Sequence, residues 1–310
     1  MQKANIRSEF PDIDVLKRTI AKRRAQNDGW PNVVINTTTK FTHRPDISGP
    51  LSIFCNLSGE SICAVDNRSV KVGTGMYFLT NAGQNYSLDI QNSTPTETFN
   101  IHFGERFTRE VLHSLFTSGS TLLAEAGFLK SHDVAFHNRL HRHDERFEKL
   151  LKTIYNKHKR GEADALFLEE QLYNLLLHLL QSHRNLQAEI ARLPLLKSST
   201  RQEIYRRLTR ALDYIHSTFP QPMELEEMAA AAFMSKFHFL RLFKSAFGMS
   251  PHQYIQQLRM EQAQELLRTT NLPVTDISEK LGFENAQSFS RLFHQRLRVY
   301  PTQFRVAVLG

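Results

Sequence analysis

Two stretches of the chain, fifty residues apart, have similar sequences. Residues 237–254 read FHFLRLFKSAFGMSPHQY, and residues 287–304 read QSFSRLFHQRLRVYPTQF. The identities recur in a single register, in which Phe239, Arg241, Leu242, Phe243, Pro251 and Gln253 match Phe289, Arg291, Leu292, Phe293, Pro301 and Gln303. Self-similarity at a fixed period indicates repeated copies of one structural unit. The last third of the chain is therefore restricted to a tandem architecture.

Each copy predicts two short amphipathic helices that are joined by a tight turn. Apolar residues recur at the i, i+3, i+4, i+7 spacing of one helix face. In the first copy the two faces are Leu225, Met228, Ala229, Ala232 and Phe239, Leu242, Phe243, Ala246; in the second they are Val274, Ile277, Ser278, Leu281 and Phe289, Leu292, Phe293, Arg296. Ser235 and Asn285 are suitable N-caps for the second helices, and one residue has been added in the second turn, near Gly282. This pattern is typical of a helix-turn-helix.

The helix faces opposite these predicted cores carry side chains that can form hydrogen bonds or apolar contacts with DNA bases. At 100° per residue they present Phe237, Leu240, Arg241 and Lys244 in the first copy, and Gln287, Ser290, Arg291 and His294 in the second. Arg pairs with guanine, Gln pairs with adenine, and apolar side chains contact thymine methyl groups. An ordinary solvated helix face is the alternative interpretation. Two such faces in matching register favour DNA recognition.

The segment between the copies predicts one long helix. It reads SPHQYIQQLRMEQAQELLRTT, with Pro251 at a first helical position. A helix of about twenty residues is about 30 Å long, and successive major-groove faces of a duplex lie about 34 Å apart. One chain could therefore place two recognition helices on one side of a duplex.

A family resemblance rests on seven stretches that occur in order. They are ALDYI, LEEMA, MSKFHFLRLFKSAFGMSP, LRMEQAQELL, VTDISEKLGF, SFSRLF and YPTQFR. Residues 201–305 resemble the DNA-binding domain of the AraC/XylS family of bacterial transcription regulators. The resemblance implies that helices 235–247 and 285–297 enter adjacent major grooves of an operator. The implied DNA-binding residues are Ser235, Lys236, Phe237, Leu240, Arg241, Lys244, Asn285, Ala286, Gln287, Ser290, Arg291 and His294.

The chain departs from the family pattern at four positions. Phe233 stands where the first turn usually has Gly, and Arg298 stands where a second helix-ending Gly is expected. A non-Gly residue at positive φ is uncommon, so strain is expected at both junctions. Leu240 and Ala286 occupy positions that often carry polar side chains, which reduces the direct base readout expected from the two helices.

The N-terminal part has a different texture. Between residues 30 and 103 the runs VVIN, LSIFCNL, SICAVDN, MYFLTN, YSLDIQ and TFNIHF are separated by turn signals such as SGE, GTG and NAG. Short strands at this spacing predict an antiparallel sandwich or small barrel. The family resemblance implies a cupin-like barrel that binds a small-molecule effector of unknown identity. Aromatic residues Phe54, Tyr77, Phe78, Tyr86 and Phe103 could line its pocket, although such residues are more often core.

From about Asp144 the pattern becomes helical. Leu168, Leu172, Leu175 and Leu179 form a seam of about two heptads, which either packs on its own domain or forms a dimer interface. Because Leu176 and Leu180 add further apolar surface, we expect a homodimer through this region, and Glu at positions 172 and 179 would then give monomers.

These elements together predict an α+β chain with four regions. Residues 1–29 form a helical extension, 30–143 a cupin-like effector-sensing barrel, 144–196 a helical dimerisation and linker region, and 197–310 an AraC-type DNA-binding domain with two helix-turn-helix units. The predicted function is that of a sequence-specific transcription regulator. RNA polymerase is an expected further partner on the strength of the resemblance.

A metal-dependent cupin enzyme with a DNA-binding appendage is the competing function. Such an enzyme needs several His and carboxylate ligands that converge on one ion. Only His43 and His102 occur in the predicted barrel between Phe41 and Phe103, widely separated. His137 and His141 are four residues apart, a spacing that suits a metal site, but their position at a junction of strand and helix favours a solvated surface. A DNA repair protein with a reactive Cys would need a Cys-rich zinc cluster, which this sequence lacks. No enzymatic activity, cofactor or metal is therefore expected.

Composition bounds the remaining choices. The chain has 310 residues and a formal net charge of +8, which permits nucleic-acid binding without proving it. Its two cysteines, Cys55 and Cys63, form no CxxC pair and suit a reducing compartment. No signal peptide or apolar segment long enough to span a bilayer is found, so a cytoplasmic location without membrane contact is expected.

Overall fold

A computed structural model of the chain describes residues 3–26, 28–66, 68–116, 134–191, 193 and 197–309. The chain divides into two units, Met1–Gln187 and Ala188–Gly310. The first unit contains the strands and the second contains helices. The chain is thus a mixed α+β protein, as its sequence predicts.

The first unit is built on an eight-stranded sheet. Its strands are β1 (Ile6–Arg7), β2 (Val33–Ser48), β3 (Ser52–Ser58), β4 (Ser61–Val65), β5 (Arg68–Val72), β6 (Met76–Thr80), β7 (Asn85–His102) and β8 (Leu140–Arg142). The order is β1-β2-β7-β3-β6-β8, and β4 pairs with both β5 and β7. The long strands β2 and β7 are antiparallel partners whose register shifts between Thr39 and Phe41 and between Arg44 and Ile47. Such bulges bend a strand, so one strand contributes to differently oriented parts of the sheet.

Each predicted strand run overlaps a strand in the described part of the chain, but the details differ. YSLDIQ and TFNIHF belong to the single strand β7, and the runs that form β5 and β8 were not predicted as strands. The pair β1–β2 is parallel, and β1 lies within the predicted helical extension. Helix α2 (Glu105–Phe116) lies inside the range 30–143 that was assigned to the barrel. Residues 117–133 of that range lie outside the described residues.

The sheet has an apolar core on each face. On one face Val34, Ile53, Cys55, Phe99 and Ile101 pack with helices α2, α3 (Glu145–Lys159) and α4 (Ala165–Ala191). On the other face Phe54, Cys63, Phe78, Tyr86 and Leu88 pack with Trp30 and with helix α1 (Ile13–Ala25) through Ile20. The alternation of strand side chains accounts for this division, because Cys55 and Phe54 are neighbours in sequence and point to opposite faces.

The leucine seam of α4 belongs to the first of these cores. Leu172, Leu175 and Leu176 are fully buried, Leu168 and Leu179 are nearly so, and Leu180 is 9% exposed, all within a single chain. They pack with Phe147, Leu151 and Ile154 of α3. The prediction that this seam forms the dimer interface is therefore wrong, because the side chains are already covered. The helix needs this much apolar surface because it packs on α3 and on the sheet together.

The second unit repeats its geometry. After α5 (Ser198–Thr218), the elements α6 (Leu225–Ala231), α7 (Lys236–Phe247) and α8 (Pro251–Thr269) are followed by α9 (Val274–Lys280), α10 (Ala286–Leu297) and α11 (Pro301–Leu309). The paired helices α6 and α9 have 7 residues each, and α7 and α10 have 12 each. The offset between copies is 49 for the first helix and 50 for the second. Arg296 is the one exception to the predicted core faces, since it is exposed where Ala246 is buried.

Both junctions where strain was expected have positive φ. Phe233 has φ 54° and Arg298 has φ 62°, in the conformation that Gly248 adopts at the end of α7 with φ 74°. In the second copy the position equivalent to Phe233 is Gly282, with φ 72°. The added residue lies after this position, because Phe233 precedes the N-cap Ser235 by two residues and Gly282 precedes Asn285 by three.

None of the helices among the described residues combines the length and apolar character that a membrane crossing requires.

Candidate nucleic-acid interface

Helices α7 and α10 are held by matching aromatic contacts. The Phe239 and Phe243 rings lie 5.3 Å apart at 62°, and the Phe289 and Phe293 rings lie 5.6 Å apart at 62°. All four side chains are fully buried. Edge-to-face rings at this separation are a favourable arrangement. The recurring Phe residues thus fix which face of each helix is turned inward.

The recurring Pro and Gln residues begin the helices that follow. Ser250 Oγ accepts a hydrogen bond from Gln253 N–H, and Ser250 N–H donates to Gln253 Oε1 at 2.9 Å, which completes a capping box. In the second copy Tyr300 N–H donates to Gln303 Oε1 at 3.1 Å. Because Pro lacks an N–H, it suits the first position of each helix. Five of the six repeated residues, all except the arginine, therefore serve helix starts and core packing rather than recognition.

The two recognition helices begin differently. Ser235 occupies the N-cap position of α7 with φ −69° and ψ 150°, but its side chain accepts no cap hydrogen bond. Asn285 caps α10, since its Oδ1 accepts from Ser288 N–H at 2.8 Å. The Ser235 hydroxyl thus remains available to an external partner, whereas the Asn285 side chain is engaged by its own helix.

The predicted DNA-binding residues lie along the outward faces of α7 and α10. Eight are exposed, namely Ser235, Lys236, Phe237, Arg241, Lys244, Asn285, Gln287 and Arg291. Leu240, Ala286, Ser290 and His294 are half-buried. Phe237 is 81% exposed, which is unusual for a large aromatic side chain. In the described part of the chain, neither Arg241 nor Arg291 takes part in an ion pair.

Besides Asn285, two of these side chains have internal partners. Lys236 Nζ donates a hydrogen bond to Glu226 Oε1 of α6, and this contact lowers the pKa of the Glu226 carboxyl. The His294 ring stacks on Tyr300 at 4.4 Å and 21°. Sequence reasoning missed both contacts, although the ten-residue separation of Glu226 and Lys236 across the predicted turn could have indicated the first. Glu226 therefore already compensates the charge of Lys236.

Helix α8 joins the two copies. Its buried residues, among them Ile255, Leu258 and Ala263, lie on the side predicted to be apolar. Tyr254 at its start is within hydrogen-bond distance of His216 Nε2, at 3.0 Å from the hydroxyl oxygen. Its 19 residues correspond to about 29 Å at 1.5 Å per residue. This length is close to the roughly 34 Å that separates successive major-groove faces.

A second candidate site lies in the first unit. A cavity of about 190 Å³ is lined by α1, by the residues before β2, and by the inward faces of β2, β3 and β7. Of the five aromatic residues considered from the sequence, Phe54 and Tyr86 line this cavity, while Tyr77, Phe78 and Phe103 are core. Burial raises the pKa of the Tyr86 hydroxyl.

Polar groups in this cavity come from two strands. Arg44 of β2 and His102 of β7 are both buried. Ser52 Oγ donates to Pro50 O and lies 2.9 Å from His102 Nδ1, so the imidazole N–H must donate to the serine oxygen. Burial, with Arg44 as a second cause, lowers the pKa of His102 to about 3. His102 is therefore neutral at physiological pH and adds no charge.

The candidate metal and thiol residues are separated. His43 pairs with Asp89, whereas the buried His102 contacts Ser52. Among the described residues, no group of three or more His, Cys, Asp or Glu side chains is arranged to hold a metal ion, His137 and His141 included. Cys55 and Cys63 are buried on opposite faces of the sheet as free thiols, and burial raises the pKa of each. A thiol with a raised pKa is a poor nucleophile.

Comparisons with known proteins match both the C-terminal unit and most of the chain. A family described as a helix-turn-helix domain matches residues 228–307. The probable transcriptional regulator LumQ of Photobacterium leiognathi is 24% identical over 256 residues, which cover 82% of this chain and 88% of LumQ. The multiple antibiotic resistance protein MarA of Salmonella typhimurium is 33% identical over 95 residues, which cover 31% of this chain and 75% of MarA.

A solved structure matches about a third of the chain. It is a Chromobacterium violaceum transcriptional regulator from the proteins with an AraC-type DNA-binding domain. The identity is 26% with a TM-score of 0.31, and the match covers 32% of this chain and 89% of that chain.

Proposed function

This chain belongs to the AraC/XylS family of transcription regulators, and we propose that its two recognition helices read two successive major grooves of one operator. It is a DNA-binding transcription regulator by its similarity to the helix-turn-helix family and to LumQ and MarA. The proposal assigns base or phosphate contacts to the twelve residues that were predicted from the sequence. Arg241 and Arg291 are the two residues expected to carry the most specificity.

One observation carries this proposal. Arg241 and Arg291 occupy the same position of helices of equal length, both are exposed, and both are two residues from a fully buried Phe. An Arg side chain that is free of intramolecular ion pairs can pair bidentately with guanine. Equal geometry in two helices joined by about 29 Å of helix supports one groove for each.

The proposal predicts distinct effects for arginine and lysine. Changing either Arg241 or Arg291 to Ala should weaken operator binding by roughly 1–3 kcal/mol, because a bidentate base contact is lost while the fold is kept. Changing Lys244 to Ala should weaken binding to all sequences alike and lower the salt slope by about 1, as expected for a phosphate contact. Fluorescence anisotropy with operator and random duplexes over a salt series measures both effects.

A matched control lies on α10 itself. Arg296 is exposed and lies five residues after Arg291, which places it about 140° away around the helix. Ala at position 296 should leave sequence preference unchanged. Equal loss of operator preference in the Arg291 and Arg296 variants would refute the assigned face.

Regulation is proposed to begin in the first unit. We propose that the sheet of this unit is a cupin-like barrel, that its cavity binds a small-molecule effector, and that effector binding alters operator binding or the contact with RNA polymerase. The cavity is the feature that supports this role.

Since the operator is bacterial DNA, we place the protein in the cytoplasm. The relatives it matches are regulators, so we propose no catalytic activity.

Assembly as a homodimer remains part of the proposal, through different residues of α4. Leu166 is 75% exposed and Tyr173 is 38% exposed. They are seven residues apart, so they lie on the same side of the helix, away from the buried leucines. A partner subunit that covers these two side chains would remove apolar surface from water.

Changing Leu166 and Tyr173 together to Glu should therefore convert dimers to monomers without loss of structure. Both positions are accessible, so each Glu stays hydrated and the unit keeps its fold. Sedimentation velocity measures the mass, and circular dichroism confirms the fold. A wild-type monomer at micromolar concentration, or a double variant that still dimerises, would rule out this interface.

A further inference from the structure

The cavity of the first unit has an unbalanced charge. The described residues that line it include two arginines, Arg7 and Arg44, and no aspartate or glutamate. Arg44 is buried, and in the described part of the chain its side chain makes no hydrogen bond or ion pair; Asp12, the N-cap of α1, acts on it electrostatically but lies beyond ion-pair distance. Its guanidinium lies over the Phe10 ring, 5.2 Å from the centroid. A buried charge is costly unless it is paired, and the cavity lining itself supplies no anion in contact with Arg44.

A second polar group in the cavity also lacks its partner. Asn100 is 1% exposed and lies on β7 opposite Ile35 of β2. Its Nδ2 is buried and has no hydrogen-bond acceptor. Buried amide donors in folded proteins are almost always satisfied by protein or by an ordered molecule. Arg44 and Asn100 thus offer donors without acceptors, from neighbouring antiparallel strands that line one cavity.

The remaining walls are mostly apolar, with Thr19, Tyr86 and His102 as the polar exceptions. Leu16, Ile20, Trp30, Val33 and Phe54 are among the side chains that line the cavity. A ligand that satisfies these walls must be largely hydrocarbon, because a polar body would leave its own hydroxyl groups unpaired. Ligand sites of this type combine apolar walls with a few converging polar groups that fix orientation.

The size of the cavity limits the ligand. A cavity of roughly 150 Å³ is sufficient to bind benzene. At about 190 Å³, this cavity has room for one ring, or a short branched chain, together with a small polar group. A long acyl chain exceeds this volume.

We propose that the cavity binds a small monocarboxylate with a compact apolar body, whose carboxylate pairs with Arg44 and accepts a hydrogen bond from Asn100. A carboxylate supplies both the negative charge and the acceptor that the site lacks, in a group small enough for the space. A neutral polyol supplies no charge, and an amine is repelled by the arginines. That this ligand acts as the effector rests on the function proposed above, whereas the binding site itself does not.

Calorimetric titration of the full chain tests the binding site. The probes are benzoate, phenylacetate and hexanoate, with benzamide as a neutral ligand of nearly the same shape and dodecanoate as an acid that is too long. We expect at least one of the three short acids to bind, at least tenfold more tightly than benzamide and dodecanoate. Binding of none of the three, or equal binding of acid and amide, would overturn the proposal.

Three variants locate the site. Arg44→Gln should lower the affinity for the short acid at least tenfold, and Lys40→Gln, which removes an exposed charge from the same strand, should not. Asn100→Asp should also weaken acid binding, because it adds a negative charge to the cavity, and it serves if Arg44→Gln fails to fold. Acid binding that is unchanged in a folded variant at position 44 or 100 would exclude this site.

The same proteins separate this inference from the regulatory role. If the acid binds but operator affinity and transcription do not change, the effector role fails and the carboxylate site stands. If operator binding is intact and no short acid binds, the carboxylate site fails and the DNA-binding function stands.

Discussion

Changing Leu172 to Glu is expected to unfold the first unit rather than to release soluble monomers. Leu172 is fully buried among α3, α4 and the sheet. A carboxylate at this position would have no partner, and burying it would cost roughly 4 kcal/mol or more. Because whole domains are stable by only about 5–15 kcal/mol, the unit would lose most of its stability.

Gln181→Glu provides the control for this substitution. It introduces the same charge in the same helix at an exposed position outside the proposed dimer interface, where a change of about 0.5 kcal/mol or less is expected. Thermal unfolding and limited proteolysis compare the two variants. If Leu172→Glu gave a folded monomer from a wild-type dimer, the intramolecular packing of the seam would be wrong.

Changing Gly282 to Ala is expected to destabilise the second unit by roughly 2–4 kcal/mol. Gly282 has φ 72°, which L-residues adopt at a cost. A Cβ atom there would lie 2.6 Å from the carbonyl oxygen of Pro220 and 3.1 Å from Arg259 Nη2. The backbone contact leaves little room for relaxation. Denaturant unfolding of the full chain, followed by a probe in the second unit, measures the loss.

The equivalent turn of the first copy provides the comparison. Phe233 already carries a Cβ at positive φ, and its ring, 66% exposed, lies 5.1 Å from the Arg210 guanidinium. Ala at position 233 removes only this exposed contact, so a cost of about 1 kcal/mol or less is expected. Equal costs at positions 233 and 282 would show that the close approach to Pro220 does not constrain the turn.

The C-terminal unit was largely predictable because its helices follow from local sequence patterns and these patterns occur in two copies. The spacing of apolar residues gave the helices, and the recurrence of Phe239 and Phe289 in one register identified the buried faces. The start of α8 followed from Pro251. The contact of Lys236 with Glu226 was less accessible, since it depends on the angle between two helices rather than on the pattern within either one.

The first unit was less predictable because its sheet is formed by non-local pairing. Two predicted strands merged into β7 because bending at bulges, rather than a turn, changes the chain direction there. The inward position of Arg44 follows from its pairing with Leu88, a register that strand alternation alone does not supply. The burial of the α4 leucines also depends on non-local contacts, with α3 and with the sheet, so their spacing alone does not distinguish a core face from a dimer interface.

The reading of two grooves by one chain is tested most directly by selecting binding sites from random DNA with the wild type and with the Arg241→Ala and Arg291→Ala variants. The wild type should select two conserved blocks, and each variant should lose preference mainly in one of them. The two relaxed positions should lie about ten base pairs apart, which is one turn of the duplex. If both variants lost preference at the same positions, or at none, the two helices would not read separate grooves and the repeat would serve the fold alone.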